Sequence, residues 1–380
     1  MITKKRMGIF IFYDKYGIVS SYIEYLLNSM KEILEKIIIV INGSVNEEGN
    51  LIFHKYSDEV YVRQNIGYDA GALKDTFTVN LKNESWEVWD EVVIFNDTFY
   101  GPLVPWDYIF NQMDEQDIDF WGLSKWYGAK SAYDGKMIAE HIQSYFLVFS
   151  TRVITNPGFM KFWIDMDYPD AYRTAIESYE AKLTNYLKQL GFSGSTWMEK
   201  QCGDKYKGEA SVVYTEHGYD LIREGQFPVI KKRAISIQNW NEARKILSYV
   251  QKNTDYDLQF ILNHLKRKDD EGEIKPFSAN RMKKFLLQHD KVFIYGAGRI
   301  GQAVACYLKD NGFTVQAFLV TERNDEQENV IEYKSFRPND NDGIIIGVGR
   351  KYCREIYNML IKDCPERNIL MPEYDLSQSV

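Results

Sequence analysis

The sequence has few cysteines and no apolar run long enough to cross a membrane. Its four cysteines, Cys202, Cys306, Cys353 and Cys364, have no Cys-x-x-Cys spacing, so neither a zinc site nor a disulfide framework is predicted. This cysteine pattern fits a reducing compartment. No apolar stretch approaches the ~20 residues of a transmembrane helix. The apolar run 7–12 is too short for the core of a signal peptide, which predicts a cytoplasmic protein whose membrane contact, if any, is peripheral.

The chain also lacks the positive charge of a nucleic-acid-binding protein. Its formal net charge is -8 and its pI is near 5.4, so no diffuse attraction to a phosphate backbone is expected. Nucleic acid is therefore not predicted as a partner. One basic cluster, Lys231-Lys232-Arg233, stands against this acidic background. It suits a phosphate or an anionic lipid surface, or it is a solvated turn.

Apolar and aromatic side chains, in contrast, are abundant. Hydrophobic residues make up 45% and aromatic residues 15% of the sequence, with 27 Tyr and 8 Trp. A chain of 380 residues can bury a large core, and its length favours two domains. Sugars often stack on exposed rings, although most individual rings are expected to pack in cores.

Strand and helix patterns alternate along the first 235 residues. Short apolar runs predict buried strands, and helical spacing lies between them. The predicted strands are 8–12, 36–41, 60–62, 92–95, 119–124 and 144–149, and the predicted helices are 18–34, a helix beginning at 72–77, and 176–190, which Gly191 ends. This alternation predicts an α/β fold with a mostly parallel sheet over residues 1–235. Residues 236–288 are predicted as a helical connector and 289–380 as a small second α/β domain.

Two segments carry polar residues to the carboxyl ends of predicted strands. The first is Asn65-Ile66-Gly67-Tyr68-Asp69-Ala70-Gly71, and the second is the strand 92–95 followed by Asn96-Asp97-Thr98. Ligands bind at this edge of an open α/β sheet, and a carboxylate there is placed to hold a divalent cation against a diphosphate. The pattern is typical of a nucleotide-sugar transferase.

Short motifs over residues 7–235 resemble the rhamnan synthesis protein F family of bacterial polysaccharide glycosyltransferases. They are Phe12-Tyr13-Asp14-Lys15, Val40-Ile41-Asn42-Gly43, Arg63-Gln64-Asn65-Ile66-Gly67-Tyr68-Asp69-Ala70-Gly71-Ala72, Phe95-Asn96-Asp97-Thr98-Phe99-Tyr100-Gly101-Pro102, Asp119-Phe120-Trp121-Gly122-Leu123, His141-Ile142-Gln143-Ser144-Tyr145-Phe146 and Phe227-Pro228-Val229-Ile230-Lys231-Lys232-Arg233. The resemblance implies a GT-A-type fold. It also implies transfer of a sugar, L-rhamnose by the family name, from a nucleoside diphosphate donor such as dTDP-rhamnose to a cell-surface or lipid-linked glycan.

The motif order also resembles the large inverting GT-A transferase group, which implies roles for single residues. Asn96-Asp97-Thr98 stands in place of that group's Asp-x-Asp motif, so Asp97 is implied to hold Mg²⁺ or Mn²⁺; capping a helix is the alternative. Asn42 stands where an acid contacts the donor base, and Asn65 and Gly67 match an Asn-x-Gly loop. The implied donor-binding residues are Tyr13, Asp14, Asn42, Asn65, Gly67, Asp69, Asn96, Asp97, His141, Gln143 and Lys231.

The acceptor side of the same resemblance points to Glu180. Tyr179-Glu180-Ala181-Lys182-Leu183 before Leu190-Gly191-Phe192 fits the group's spacing and puts Glu180 in the place of the general base, which takes the proton of the acceptor hydroxyl. Partnering the helix dipole is the alternative. Trp121 either stacks on an acceptor sugar or packs in the core. Lys231 is predicted to neutralise the departing nucleoside diphosphate.

The second predicted domain opens with a dinucleotide-type fingerprint. Gly296, Gly298 and Gly301 form a Gly-x-Gly-x-x-Gly turn after a strand, and Glu322 follows the next strand. Nucleotide binding, for which NAD is a candidate, and a structural, dimerising role both stay open. NAD-dependent oxidation or epimerisation of a sugar nucleotide is the rival activity, although Tyr352 and Tyr357 lack a Lys four residues on. A non-catalytic nucleotide-sugar sensor is the third candidate.

Overall fold

The computed structural model describes residues 4–130, 137–209, 213–272, 277–322 and 329–373. It divides into two compact units. The first contains the residues up to Lys232 and Val250–Phe260, and the second contains Arg233–Tyr249 and the residues from Ile261 on. The region 236–288, predicted as a connector, is largely helical where it is described, and its residues are divided between the two units.

Apolar strands build the first unit. In chain order they are β1 (Arg6–Phe12), β2 (Lys36–Asn42), β3 (Glu59–Arg63), β4 (Glu91–Asn96), β5 (Phe99–Tyr100), β6 (Phe120–Gly122), β7 (Lys125–Trp126), β8 (Ala129–Lys130), β9 (Met137–Ile138), β10 (His141–Ile142), β11 (Phe146–Ser150), β12 (Gly194–Thr196) and β13 (Ile230–Lys231). Among the described residues, seven of these strands form one sheet in the order β12-β6-β11-β4-β1-β2-β3.

The centre of this sheet is parallel and dry. β1 pairs in parallel with β2 and β4, and β2 pairs in parallel with β3. Every residue of β1 and β4 is buried, as expected for strands covered on both faces. The predicted α/β class, with a mostly parallel sheet, is confirmed. Because parallel strands end at one edge, the ends of β1, β2, β3 and β4 bring their polar residues to that edge.

One strand of the sheet runs the other way. β11 is antiparallel to both β4 and β6, with Phe146 opposite Phe95. The start of β11 therefore lies beside the end of β4, and the amide of Asn96 donates to the carbonyl of Tyr145 over 3.2 Å. Residues just before β11 thereby reach the edge where the parallel strands end.

Helices connect the strands and complete the core of the first unit. They are α1 (Ser21–Met30), α2 (Glu47–His54), α3 (Tyr68–Asp75), α4 (Trp106–Asp114), α5 (Thr151–Ile154), α6 (Pro157–Asp165), α7 (Tyr172–Ala175), α8 (Ala181–Gln189), α9 (Trp197–Cys202), α10 (Val213–Glu216) and α11 (Gly218–Glu224). π-helical turns follow α3 at Thr76–Asn80 and join α7 to α8 at Ile176–Glu180. Phe77 stacks on Trp163 with ring centroids 5.1 Å apart, which fixes α6 against the end of α3.

A two-stranded ribbon attaches the segment around residue 231 to the chain that follows β4. β13 pairs antiparallel with β5, with Lys231 opposite Phe99. The amide of Lys232 then donates to the carbonyl of Thr98 over 3.2 Å. This ribbon places two lysines directly beside the residues that follow β4.

The second unit is a smaller α/β layer structure. Its strands are β14 (Lys291–Tyr295), β15 (Ala317–Val320), β16 (Val330–Glu332), β17 (Asp342–Ile346) and β18 (Ile369–Leu370), which pair in parallel in the order β16-β15-β14-β17-β18. Phe293 and Ile294 point into separate cores on opposite faces of this sheet. The helices from residue 240 on are α12 (Trp240–Asn253), α13 (Leu258–Asp270), α14 (Ala279–Leu286), α15 (Arg299–Asp310) and α16 (Arg350–Leu360).

The helices in the described parts of both units are too short or too polar to cross a membrane.

Candidate active site

A hydrogen-bonded chain of side chains crosses the edge of the first sheet at the end of β4. The side-chain nitrogen Nδ2 of Asn96 donates to Asp69 Oδ2 over 2.7 Å. Asn96 Oδ1 accepts from both the backbone amide and the hydroxyl of Thr98. Asp69 reaches this point because Gly67, with φ +78°, turns the chain into α3. A side chain at Gly71 would put its Cβ 2.1 Å from the carbonyl oxygen of Ile66, so this loop needs both glycines.

Lys231 sits over this chain. Its ammonium donates to Thr98 Oγ1 and lies 3.7 Å from the centre of the Tyr145 ring, a close cation–π contact. The Lys231 residue is 7% exposed. Ser124 Oγ and the Tyr145 hydroxyl share a hydrogen bond of 2.7 Å, which holds the ring beneath the ammonium. The position of Lys231 is therefore set from two sides.

Lys232 brings a second ammonium to the same edge. Its Nζ lies 3.0 Å from Asp97 Oδ2 and 4.8 Å from the centre of the Tyr22 ring. The Tyr22 hydroxyl donates to the carbonyl oxygen of Asp97 over 3.2 Å. The carboxylate of Asp97 is thus engaged by a lysine that adjoins Lys231 in the sequence.

Glu180 lies close to this cluster, at the last position of the π-helical turn before α8. Its Oε1 accepts from the amide of Ser144 over 3.2 Å and from the Ser144 hydroxyl. Its Oε2 lies 4.0 Å from Nε2 of the buried His141, whose Nδ1 donates to the carbonyl of Ala139 over 2.8 Å. The Glu180 side chain keeps 23% of its surface exposed, so one oxygen is fixed while the carboxylate still meets solvent.

The charges of this cluster change the pKa of Asp69. Burial, followed by the nearby charge of Asp97, raises the pKa of Asp69 to about 6, while the hydrogen bond from Asn96 and the charge of Lys231 act in the opposite direction. The charge of Glu180 contributes to the increase. Asp97, Glu180 and Lys231 therefore each lie within electrostatic reach of Asp69.

We expect Asp69→Asn to stabilise the protein at pH 7.5 and to lose that advantage in acid. The pKa of Asp69 is near 6 in the folded protein against 3.8 for the free side chain, so the ionised carboxylate disfavours folding above pH 6. The gain in the free energy of unfolding is at most about 3 kcal/mol at pH 7.5 and approaches zero below about pH 4. Urea unfolding of both proteins at several pH values measures it; a gain that does not change with pH contradicts the assignment.

The other predicted donor residues lie along the same edge. Asp14 follows β1 and accepts from the amides of Tyr16 and Ile18 over 3.0 and 3.1 Å. Asn42 ends β2, and its Oδ1 accepts from Arg63, which also binds Asp75 over 2.7 Å. The side-chain oxygens of Asp14 and Asn42 therefore accept hydrogen bonds from the protein itself at this edge of the sheet. The side chain of Tyr13, in contrast, is 46% exposed, and Asn65 is exposed as well.

Two further predicted residues differ in their surroundings. Gln143 lies near the site, where its Oε1 accepts from Ser124 Oγ over 2.6 Å. Trp121 does not, and the prediction that it stacks on an acceptor sugar is wrong. It is 3% exposed, and its ring lies 5.2 Å from Phe110 and 5.8 Å from Phe146. Trp121 is part of the core because β6 is an interior strand of the sheet.

Sequence analysis gave several residues of the cluster no role of their own. Thr98, Ser144 and Tyr145 lie within motifs that were recognised, and Lys232 lies in the basic run 231–233, but their contacts depend on pairings between distant segments. Tyr179 is the strongest omission, because it is buried directly beside Glu180. Burial and the charges of Glu180 and Asp69 raise the pKa of Tyr179. Its place next to Glu180 in the sequence was the available signal.

The residues at the predicted metal site do not suit a divalent cation. Asn96 uses its oxygen for Thr98, and Asp97 is bound by Lys232. In residues 4–130, 137–209, 213–272, 277–322 and 329–373, no group of three or more His, Cys, Asp or Glu side chains is arranged to hold a metal ion. A divalent ion on Asp97, about 5 Å from that ammonium, would be repelled by roughly 7 kcal/mol at an effective dielectric constant of about 20. The ion would have to displace Lys232.

The glycine turn of the second unit has a backbone geometry that two of its three glycines make possible. Gly296 directly follows β14 with φ +108°, and a Cβ at Gly301 would lie 1.8 Å from the carbonyl oxygen of Gly296. Gly298 precedes α15 and has no such crowding. Glu322 lies two residues beyond β15 and is exposed. These contacts account for Gly296 and Gly301 as structural residues, and nucleotide binding there stays a prediction.

Comparison with known families gives one match over most of the chain. The profile of the family described as rhamnan synthesis protein F matches residues 37–309. A curated relative, the uncharacterized protein y4gN of Sinorhizobium fredii (strain NBRC 101917 / NGR234), is 26% identical over 193 residues, which cover 50% of this chain and 48% of the relative. The chain thus spans about half the length of the curated relative it matches.

Solved structures show distant likenesses. Core-mannan synthase A from Aspergillus fumigatus in its Mn/GDP form is 8% identical, with 48% of this chain and 69% of that chain covered and a TM-score of 0.30. The 4-diphosphocytidyl-2C-methyl-D-erythritol synthase from Anaerococcus prevotii DSM 20548 is 12% identical, with 50% and 88% covered and a TM-score of 0.33. A cytidylyltransferase from Leptospira borgpetersenii is 11% identical, with 68% and 100% covered and a TM-score of 0.33. At these TM-scores the likenesses carry no argument about substrate or mechanism.

Proposed function

We propose that this chain, which belongs to the rhamnan synthesis protein F family, is a glycosyltransferase that moves a sugar from a nucleoside diphosphate donor to a cell-surface or lipid-linked glycan. One observation carries the proposal. A carboxylate with an exposed face, Glu180, lies in the same electrostatic cluster as Asp69, Asp97 and Lys231 at the carboxyl edge of the sheet. A base and cations at one edge are what transfer from a diphosphate donor needs.

The proposed reaction is a single displacement that inverts the anomeric carbon. An acceptor hydroxyl oxygen attacks that carbon, its proton passes to the free oxygen of Glu180, and the bond from the carbon to the β-phosphate oxygen breaks. The electron pair of the broken bond leaves on the nucleoside diphosphate. Ser144 fixes the other Glu180 oxygen, so the base is oriented before the acceptor arrives. Lys231 stabilises the charge that develops on the diphosphate.

The donor and the surroundings of the enzyme belong to the same proposal. The family description supports an activated rhamnose such as dTDP-L-rhamnose, with Asn42, Asn65 and Gly67 beside its nucleoside. Mg²⁺ or Mn²⁺ assistance through Asp97 was the expectation from sequence, but the residues around Asp97 do not suit such an ion, and no step here depends on one. A cytoplasmic location, peripheral membrane contact and a homodimer are carried forward as predictions.

A donor screen tests the proposal on the full chain. We expect dTDP-rhamnose or another nucleoside diphosphate sugar to raise the melting temperature and to be consumed when a glycan acceptor is added. NAD(H) is screened in parallel, because the glycine turn after β14 keeps the oxidoreductase or epimerase rival open. Stabilisation by NAD(H) alone, with redox turnover of a sugar nucleotide, would overturn the transferase proposal. Binding of a donor that stays intact with every acceptor would favour a sensor.

A further inference from the structure

Two ammonium groups occupy the place where the sequence resemblance put a metal ion. Lys231 donates to Thr98 Oγ1, and Lys232 lies 3.0 Å from Asp97 Oδ2. Both lysines come from β13 and the residue after it, which the ribbon with β5 holds against the end of β4. All three residues of the segment Asn96-Asp97-Thr98 are therefore engaged by a lysine or by one another.

These lysines are built into the protein rather than spread over its surface. Lys231 is 7% exposed, and its ammonium lies over the ring of Tyr145. The Lys232 side chain is 24% exposed, and its ammonium lies near the ring of Tyr22. Aromatic rings beneath both ammonium groups stabilise the charged forms in a partly dry site. The two side chains are thus held in place before a ligand binds.

The charges of the pair match those of the group that a donor brings. Two ammonium groups carry the same formal charge as one divalent cation. Asp97 and Asp69 balance them within the protein, and a donor diphosphate competes for the same ammonium groups with its own oxygens. Lys Nζ has three donor hydrogens, so one ammonium can bind more than one acceptor oxygen at a time.

We propose that Lys231 and Lys232 together replace a divalent cation at the donor diphosphate. On this inference, which rests on the proposed transferase function, both ammonium groups bind the diphosphate and take up the charge of the leaving nucleoside diphosphate. Lys232 is then a further catalytic residue, oriented by Asp97. Binding of the donor and transfer of its sugar both proceed without a divalent metal ion.

Calorimetry with the full chain tests this inference with dTDP, UDP and GDP as probes, first in EDTA and then in Mn²⁺ or Mg²⁺. We expect one of these nucleoside diphosphates to bind in EDTA with an affinity that metal changes by less than threefold. Lys231→Met and Lys232→Met are each expected to weaken that binding at least tenfold, and Lys232→Arg to restore most of it. Lys161→Met is the control, because Lys161 lies on α6 in an exposed pair with Asp165.

Each outcome decides between the alternatives. Binding that appears only with Mn²⁺ or Mg²⁺, or that survives in both methionine variants, overturns the lysine pair while leaving the transferase function standing. Absence of binding in every condition overturns both. A methionine variant whose melting temperature is lower than that of the Lys161→Met control is replaced by the corresponding glutamine variant. Its affinity for the nucleoside diphosphate is then judged by the same criteria.

Discussion

We expect Glu180→Gln to lower the rate of sugar transfer by at least about a hundredfold, the lower end of what a positioned general base contributes. Glutamine keeps the carbonyl oxygen that accepts from Ser144 but cannot take the proton of the acceptor hydroxyl. The loss should therefore fall on kcat, while the affinity for the nucleoside diphosphate changes little. Steady-state transfer with a saturating donor measures it.

Donor binding gives this prediction a second readout. Calorimetry with the nucleoside diphosphate should give the unaltered enzyme and Glu180→Gln the same affinity, because the substitution removes only the proton acceptor. Glu115→Gln is the control, because the Glu115 side chain is 68% exposed and should keep the full rate. A Glu180→Gln enzyme with an unchanged kcat would remove Glu180 from the mechanism.

Arg6→Met should reduce the free energy of unfolding by about 3–5 kcal/mol, the usual cost of leaving a buried charge without its partner. Arg6 Nε binds Glu91 Oε2 and Arg6 Nη2 binds Asp114 Oδ2, both over 2.6 Å, and the side chains of Arg6 and Glu91 are 7% and 6% exposed. Removing Arg6 leaves the buried carboxylate of Glu91 to the half-exposed Lys4 alone. Urea unfolding followed by tryptophan fluorescence measures the change.

Arg152→Met is the control that separates the effect of burial on stability from the effect of losing an ion pair. Arg152 also meets a carboxylate, that of Asp119, over 2.7 Å, but its side chain is 66% exposed, so its loss should cost less than about 1 kcal/mol. If both variants lose the same stability, the difference in burial does not govern these pairs. The comparison holds charge and residue type constant.

The parallel centre of the sheet could be predicted because its strands are short apolar runs with polar residues at their ends. β1, β2 and β4 follow that pattern, and Asp97 was placed correctly at the end of a buried strand. The direction of β11 could not be predicted, because Phe-Leu-Val-Phe reads alike in parallel and antiparallel strands. That direction is what brings Ser144 to Glu180.

The ammonium cluster depended on information that local sequence does not contain. Lys231 and Phe99 are register partners across the ribbon, yet neither residue reveals the other. The basic run at 231–233 suggested a phosphate but equally a solvated turn. Trp121 illustrates another limit: its motif left both sugar stacking and core packing open, and the position of its strand between β11 and β12 decides for the core.

The ribbon between β5 and β13 determines when the candidate site is completed during synthesis of the chain. During synthesis every strand of the main sheet leaves the ribosome before Lys231 and Lys232 do, since β12 ends at Thr196. A nascent chain can therefore assemble its sheet while the donor edge still lacks both cations. On the proposed function, sugar transfer requires β13 to pair with β5, so a chain that ends before Lys231 cannot consume its donor.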